Sequence, residues 1–244
     1  MSQGKTKTLA LTAAAVLIAG VVGGGASAAH AGFTPYAGTK HNEAGLAKVF
    51  ELAYGGDFVA DGHNFTNGLL TAVRIDDDHD RTFTGKILGG RMLARYAAAS
   101  QELGYLDAGG NYTSLGQVDG WGFPVTGAIA AADLSGGTYT FARAGSGMRW
   151  SSDPADNGGG DQLITFKLVP AGVQTVAAVA DTHLYVQFWE DLDVTKRFSD
   201  RDYNDMVLEL AVQHPVAIPL PAAALIGGAT LLGLAAARRW RRVI

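Results

Sequence analysis

The first hydrophobic pattern beyond residue 40 is helical. Its apolar positions recur at intervals of three and four residues and therefore share one helical face: Leu46, Val49, Phe50 and Ala53. Asn42 precedes this run as the expected N-cap, and Gly55-Gly56 follows it as a stop signal. The pattern predicts one short helix that ends at these glycines.

Later apolar positions form short runs or alternate with polar ones at a period of two, which is typical of strands. Strands are predicted in six segments: 69–75, 86–97, 138–142, 163–169, 184–189 and 206–212. The alternation in 184–189 puts one set on one face (Leu184, Val186, Phe188) and another opposite (Tyr185, Gln187, Trp189). Glycine-rich turns such as 108–111 and 153–160 separate the strands. These features predict a mainly β domain, an antiparallel β-sandwich or jelly roll with one N-terminal helix.

The two ends of the chain do not fit this domain. Residues 1–31 have two lysines, an apolar stretch from Leu9 to Val22 and an Ala29-His30-Ala31 site. This is the order of a secretory signal peptide, with cleavage expected between Ala31 and Gly32. The domain is therefore expected to span residues 32–214.

At the other end, an apolar run of 18 residues, 220–237, precedes an arginine cluster (Arg238, Arg239, Arg241, Arg242). At about 1.5 Å per residue such a helix is just long enough to span a bilayer core of about 30 Å. The arginines are expected to stay on the cytoplasmic side, which places residues 32–214 outside the membrane.

The C-terminal segment 215–244 also resembles a known sorting signal. Its string Ile218, Pro219, Leu220, Pro221, Ala222, followed by the helix and the arginine tail, is similar to the VPLPA variant of the PEP-CTERM signal. The resemblance implies a Gram-negative bacterium. It also implies that an exosortase, a membrane cysteine protease-transpeptidase, releases the protein to the cell surface or the extracellular matrix. A single-pass anchor that is never cut is the alternative.

Charge and composition restrict what the domain does. The chain of 244 residues has a net charge of −4, but six of its 19 basic residues and none of its 23 acidic residues lie in the terminal segments. Residues 32–214 therefore hold 13 basic and 23 acidic residues, a net charge of −10. Such a domain is not expected to bind nucleic acid, whose phosphates require a positive surface. The absence of cysteine excludes disulfides and thiol nucleophiles.

The strongest candidate site is the acidic stretch between the last two predicted strands. In an extended chain Asp200, Asp202 and Asn204 would point the same way. Hard oxygen ligands gathered on a loop suit Ca²⁺, which takes six to eight of them. The alternative is that each acid caps a turn or pairs with a nearby base: Lys196, Arg197 or Arg201.

This stretch resembles a second family. Segments 188–191 and 200–205 are similar to the F-E-D-x…D-x-D-[FY]-N-D-[VM] core of a domain of unknown function found in bacterial surface and PEP-CTERM proteins. With the segment before strand 163–169, the likeness extends over the C-terminal part of the domain, about 150–213. It implies a β-hairpin whose acidic residues are calcium ligands: Glu190, Asp191, Asp200, Asp202, Asn204 and Asp205.

A second acidic cluster spans residues 76–80. Asp76, Asp78 and Asp80 have the 1-3-5 spacing of an EF-hand loop, but Arg81 stands where glycine is required and Ile87 where the bidentate glutamate is required. An exposed turn between strands is therefore favoured. A looser Ca²⁺ site, or neutralisation by neighbouring arginines, stays open.

No catalytic motif is present. The Gly145-Ser146-Gly147 string lacks the spacing of a nucleophile elbow, and the histidines lack zinc-site spacing. We therefore expect a non-enzymatic surface or matrix protein of structural or adhesive type, with calcium as cofactor. Its expected partners are an exosortase-like protease, the inner membrane and acidic exopolysaccharide. The alternative is a secreted lectin or carbohydrate-active enzyme, with an aromatic platform of Trp121, Phe123 and Trp150. Burial in the β core is the commoner fate of such residues and is favoured for them.

Overall fold

The computed structural model describes residues 32–39, 43–145, 147–171 and 182–214. Every described residue belongs to the unit that starts at Gly32. The expected signal peptide, the sorting motif 218–222 and the membrane helix 220–237 lie outside the described residues. Among those that are described, no helix is both long and apolar enough to cross a membrane.

Helix α1, Leu46–Tyr54, forms where the apolar stripe predicts it. Its buried residues are Leu46, Val49 and Phe50. The N-cap prediction is wrong, because Gly45 rather than Asn42 occupies that position and no side chain caps the helix. The stop signal is confirmed: Gly55 has a φ of 74°, a conformation that favours glycine, and its N–H donates to the carbonyl of Glu51.

Twelve strands follow within the described residues. They are β1 Val59–Asp61, β2 Asn64–Thr66, β3 Leu70–Arg74, β4 Phe83–Ala94, β5 Gln101–Leu106, β6 Tyr112–Val118, β7 Ala128–Ile129, β8 Ala132–Gly145, β9 Met148–Ser151, β10 Leu163–Pro170, β11 Thr182–Trp189 and β12 Met206–Gln213. A short 3-10 helix, Pro154–Asn157, precedes β10.

All strand pairs are antiparallel along one path, β1-β2-β3-β10-β11-β12-β4-β8-β5-β6, with β7 beside β4 and β9 beside β8. Strand β8 joins two groups of strands, because its first half pairs with β4 and its second half pairs with β5. We call these two groups the layers of the domain. The predicted mainly β, antiparallel class with one short helix is confirmed, and the arrangement is consistent with a β-sandwich.

Two hydrophobic clusters lie on opposite faces of the central strands β10–β12. The inter-layer cluster packs these strands against β5, β6 and β8, and it includes Trp189 and Leu208. The helix-side cluster packs their other face against α1, and it includes Phe50 and Phe188. Because both faces are covered, the end of β11 and the start of β12 are buried, and the loop that joins them starts and ends on a rigid support.

The predicted alternation is confirmed where it is clearest. Val186 and Phe188 lie in the helix-side cluster, whereas Tyr185 and Trp189 lie in the inter-layer cluster. Strands β5 and β6 were not predicted, because glycine and polar residues interrupt their apolar positions. Their place in the fold is decided by pairing with β8 and with each other, which the local pattern does not encode.

Candidate metal centre

The acidic loop, residues 190–205, connects β11 directly to β12. Glu190 follows the last residue of β11, and Asp205 precedes the first residue of β12. Because these strands pair in register from Thr182↔Gln213 to Trp189↔Met206, the two ends of the loop are held side by side. The strand pairing therefore brings together carboxylates that are 15 positions apart in the sequence.

The acidic loop is not extended, although the predicted alignment of Asp200, Asp202 and Asn204 rests on an extended chain. Arg201 and Tyr203 have φ values of 57° and 58°, a left-handed conformation that costs about 1–2 kcal/mol for each non-glycine residue. The Tyr203 side chain is fully buried, and its hydroxyl donates to the carbonyl oxygen of Asp161 at 2.8 Å. The Arg201 carbonyl accepts from the N–H of Ala37 at 2.7 Å. These contacts hold the loop in an otherwise unfavourable conformation.

Five of the six predicted ligands converge. The carboxylates of Glu190, Asp200 and Asp202 offer oxygens that all lie within 4.8 Å of one another. The carboxylates of Glu190, Asp191 and Asp205 form a second group by the same measure. Glu190 therefore belongs to both groups and lies at the centre of the cluster.

Among the six predicted ligands, three buried oxygens have no hydrogen-bond partner within the described residues: Glu190 Oε2, Asp202 Oδ2 and Asn204 Oδ1. Their side chains belong to residues that are 0%, 1% and 0% exposed. Leaving a buried polar group without a partner costs about 1–3 kcal/mol, and more when the group is charged. Oxygens left unpaired in one place indicate that another atom completes their coordination.

The two groups differ in how well their charge is already compensated. In the Glu190–Asp191–Asp205 group, the backbone N–H of Asp191 donates to Asp205 Oδ2 at 2.7 Å. The buried guanidinium of Arg143 has one nitrogen 3.9 Å from Asp191 Oδ2, and Gln101 Nε2 donates to the same oxygen at 3.4 Å. The Glu190–Asp200–Asp202 group has no such cation beside it among the described residues.

The environment makes ionisation of these acids unfavourable. Burial, and then the charge of Asp200, raise the pKa of Glu190 to about 7 and that of Asp202 to about 7. Burial, followed by the charges of Asp191 and Glu190, raises the pKa of Asp205 to about 9. Without a cation, several of these carboxyls hold protons at neutral pH.

The turn-capping alternative accounts for only part of the cluster. Glu190 Oε1 accepts from the N–H of Leu192 at 3.3 Å, but its other oxygen has no such role. Lys196 pairs with Asp193, which is not one of the six predicted ligands. Within the described residues, no ion pair joins Arg197 or Arg201 to the cluster. The arrangement can therefore hold a metal ion.

Several supporting residues were not predicted. Arg143 and Gln101 come from β8 and β5, and Trp150 Nε1 donates to the carbonyl of Asp191 at 2.9 Å from β9. The carboxyl of Glu43, which precedes α1, is a further acid beside Asp202 and helps to raise the pKa of that carboxyl. No local signal marks these residues, because they reach the loop only through strand pairing and packing.

The other sequence candidates have mixed outcomes. Within residues 76–80, Asp78 and His79 are exposed in a turn, as predicted, but Asp80 is 1% exposed. Trp150 packs against the inter-layer cluster and Phe123 against the helix-side cluster, as the favoured core position predicts, whereas Trp121 is exposed.

No protein-family model and no curated protein match this chain. One solved structure similar in part is the Chromobacterium violaceum lectin CV2L in complex with alpha-methyl-fucoside. It is 19% identical with a TM-score of 0.35, and the match covers 57% of this chain and 98% of the lectin chain. A likeness of this size assigns neither a fold nor a ligand.

Proposed function

We propose that residues 32–214 form the exported domain of a surface or matrix protein with a structural or adhesive role. We further propose that Ca²⁺ stabilises this domain by binding in the acidic loop. The observation that carries the metal proposal is the pair of buried, unpartnered carboxylate oxygens on Glu190 and Asp202, which lie with Asp200 in one group.

The ion is assigned to the Glu190–Asp200–Asp202 group. These three carboxylates have a combined charge of −3 when all are ionised, and no ion pair joins them to a base in the described part of the chain. Asp191 and Asp205, by contrast, already engage Arg143 and a backbone N–H. Asn204, whose buried Oδ1 is also unpartnered, supplies a further neutral oxygen to the same loop.

Ca²⁺ fits this donor set better than other common metals. All of the candidate donors are hard oxygens, and no histidine or cysteine is among them, which disfavours zinc and copper. Mg²⁺ requires near-ideal octahedral geometry and keeps several waters, so a dense set of protein carboxylates suits it less well. Calcium accepts irregular sets of six to eight oxygens, including carboxylates and amides.

The role of the ion follows from the position of the loop. Residues 190–205 join two central strands, β11 and β12, and pack Tyr203 into the helix-side cluster. An ion that neutralises the carboxylates therefore stabilises the folded domain itself, as expected of a structural site. The net charge of −10 over residues 32–214 also allows further cations to bridge this surface to acidic polysaccharide.

Export and sorting are supported by the ends of the sequence. The signal-like segment 1–31 and the C-terminal motif 218–222, with its apolar run and arginine tail, lead us to propose processing by an exosortase-like enzyme. Mass spectrometry of the protein from its host tests this proposal. We expect a mature N-terminus at Gly32 and a C-terminus altered within 215–244, whereas an intact chain in the cytosol would contradict it.

Calorimetric titration tests the metal site. The full chain, purified in detergent and stripped with EDTA, is expected to bind Ca²⁺ and to bind Mg²⁺ much more weakly. Glu190→Gln removes one negative ligand and is expected to lower the Ca²⁺ affinity by at least about tenfold. Asp61→Asn, at an exposed acid on β1, is the matched control and is expected to leave the affinity unchanged. Equal affinities in both variants would contradict the assignment.

The rival class is tested on the same preparation. A glycan array and a panel of chromogenic glycosides distinguish a scaffold protein from a lectin or a glycosidase. We expect no turnover and no saturable binding to neutral glycans. Tight binding to one glycan would favour the lectin, and hydrolysis would favour the enzyme.

A further inference from the structure

A cavity of about 310 Å³ lies at the end of β11 and β12 that is opposite the acidic loop. His183 is the second residue of β11 and His214 directly follows β12, so both line the cavity far from the loop. Four of the side chains that line it are nitrogen bases: His79, Lys167, His183 and His214. Among the lining residues that the structure describes, none is an aspartate or a glutamate. In a domain with a net charge of −10, basic groups therefore gather around this cavity.

Strand pairing brings these side chains together. Lys167 and Tyr185 are directly opposite each other in the β10–β11 pair. His183 lies two positions before Tyr185, so both side chains are on the same face of β11. Strand β12 ends beside the start of β11, which brings His214 to the same place, and the two imidazole rings have centroids 4.9 Å apart. The fold therefore positions an ammonium group, a phenol and two imidazoles at one wall of the cavity.

These four side chains form a continuous row of hydrogen bonds. Lys167 Nζ lies 3.3 Å from His183 Nε2. The hydroxyl oxygen of Tyr185 lies 3.3 Å from His183 Nδ1 and 2.9 Å from His214 Nε2. An ammonium group can only donate, so His183 Nε2 accepts and the ring proton of His183 is on Nδ1. The Tyr185 hydroxyl accepts from that N–H and donates to His214, and in this state both imidazoles are neutral.

Protonation of the imidazoles converts this row into a site for an anion. Histidine is the side chain that gains a charge between pH 5 and 8. A protonated His183 no longer accepts from Lys167, and two imidazolium rings 4.9 Å apart repel each other. The other ionisable groups around them in the described chain are Lys167 on β10, Tyr185 on β11, Tyr139 on β8 beside Tyr185, and His79 in the turn after β3, which lies 3.6 Å from Asp76. Bases outnumber acids in this set, so an anion in the cavity relieves the repulsion.

The rest of the lining suits a small oxyanion. The hydroxyls of Thr82 and Thr84 are neutral donors, and the buried ring of Phe83 forms an apolar wall beside which electrostatic attraction is stronger than in water. Burial lowers the pKa of Lys167, which indicates that the described protein groups do not fully compensate its charge. The cavity volume is sufficient for one sugar unit.

We propose that this cavity binds the oxyanion of an acidic sugar, a carboxylate or a sulfate group, through Lys167, His183 and His214, and binds it more tightly in acid. Both groups present several acceptor oxygens to ammonium and imidazolium N–H donors, which form charge-assisted hydrogen bonds. The source of the anion rests on the matrix role proposed above. The site itself uses no residue of the acidic loop, so it gives the domain a direct contact to acidic polysaccharide in addition to a cation bridge.

Calorimetric titration of the full chain in detergent tests this proposal, with galacturonate, galactose 6-sulfate and neutral galactose as probes in a metal-free chloride buffer. These sugars share one ring and differ in the anion, and both anions stay ionised from pH 5.5 to pH 8. At least one of the two is expected to bind at pH 5.5, about tenfold more weakly at pH 8, whereas galactose is not expected to bind. The anion that binds more tightly identifies the source.

Variants at the cavity wall are titrated with that anion at pH 5.5. Lys167→Met removes the ammonium and His183→Gln the ionisable ring, and each is expected to weaken binding by about tenfold through loss of a charge-assisted hydrogen bond. His214→Gln is the second histidine variant if His183→Gln does not fold. Lys48→Met, at an exposed lysine on α1, is the matched control.

Asp202→Asn separates this site from the metal site, because it should lose Ca²⁺ binding and keep the anion. The proposal is overturned if neither anion binds, if galactose binds equally well, or if the cavity variants bind as tightly as Lys48→Met. Equal affinity at pH 5.5 and pH 8 would refute the part assigned to the histidines.

Discussion

The substitution Asp202→Asn is expected to stabilise the metal-free protein and to remove most of the stabilisation that Ca²⁺ provides. Asp202 is 1% exposed, and burial together with the charge of Asp200 raises its pKa from 3.8 to about 7. At pH 8 without metal its carboxylate is charged in an unfavourable site, at a cost on the order of 4 kcal/mol, since one pKa unit corresponds to about 1.4 kcal/mol. The asparagine has the same shape and no charge.

The cost of the buried charge and the free energy of Ca²⁺ binding set the size of the two effects. Because the carboxylates titrate together, only part of that cost is recovered, and we expect the metal-free variant to be about 1–3 kcal/mol more stable than the unaltered protein at pH 8. A ligand at 100 times its Kd adds about 2.7 kcal/mol to stability. For a domain of this size, each kcal/mol shifts the Tm by about 2–4 °C. Ca²⁺ should therefore raise the Tm of the unaltered protein by about 5–10 °C and that of the variant by much less.

The assay is thermal unfolding of the full chain in detergent at pH 8, in EDTA and in excess Ca²⁺. Asp202→Asn should melt above the unaltered protein in EDTA, and adding Ca²⁺ should raise its Tm by much less than that of the unaltered protein. Asp61→Asn, whose side chain is exposed, should follow the unaltered protein in both. If Asp202→Asn lowers the Tm equally in both conditions, the carboxylate acts only through packing and hydrogen bonds, and the reasoning is refuted.

Two other predictions concern pH and packing. In EDTA the stability should be greatest near pH 5 and fall between about pH 5 and 9. The pKa values of Glu190 and Asp205 are about 7 and 9 in the folded protein, above their unfolded values, so the folded state binds more protons than the unfolded state in this range. Saturating Ca²⁺ should reduce the fall, because Glu190 is a ligand of the assigned site whereas Asp205 is not, and a urea midpoint in EDTA that rises with pH would contradict the raised values. Separately, Phe50→Ala should lower the free energy of unfolding by about 3–5 kcal/mol, because the ring is fully buried among Phe58, Phe65, Phe166 and Phe188. Leu52→Ala, on the exposed face of the same helix, is the control and should change the free energy of unfolding by no more than about 0.5 kcal/mol. If both variants lose similar free energies of unfolding in urea, the ring cluster does not contribute to stability.

Features that depend on near neighbours could be predicted from the sequence. The period of three and four predicts α1 and its buried face, and the period of two predicts β10, β11 and β12 with the correct residues on each face. The acidic residues of the loop could also be identified, because the loop lies between two predictable strands. Strands β5 and β6 could not, since their pairing with β8 rather than their own pattern decides where they lie.

For the metal ligands, too, the sequence determines one part and the tertiary structure decides the other. The amino acids alone place carboxylates in the acidic loop and in 76–80, and they give residues 32–214 a net charge of −10. Only the tertiary structure decides which of those oxygens are buried and unpaired: Glu190 and Asp202 in the loop, and Asp80 in a turn whose neighbours are exposed. The reason is that burial and hydrogen-bond satisfaction depend on residues far apart in the chain. Thr34 illustrates this, because it meets Asp161 across 127 positions.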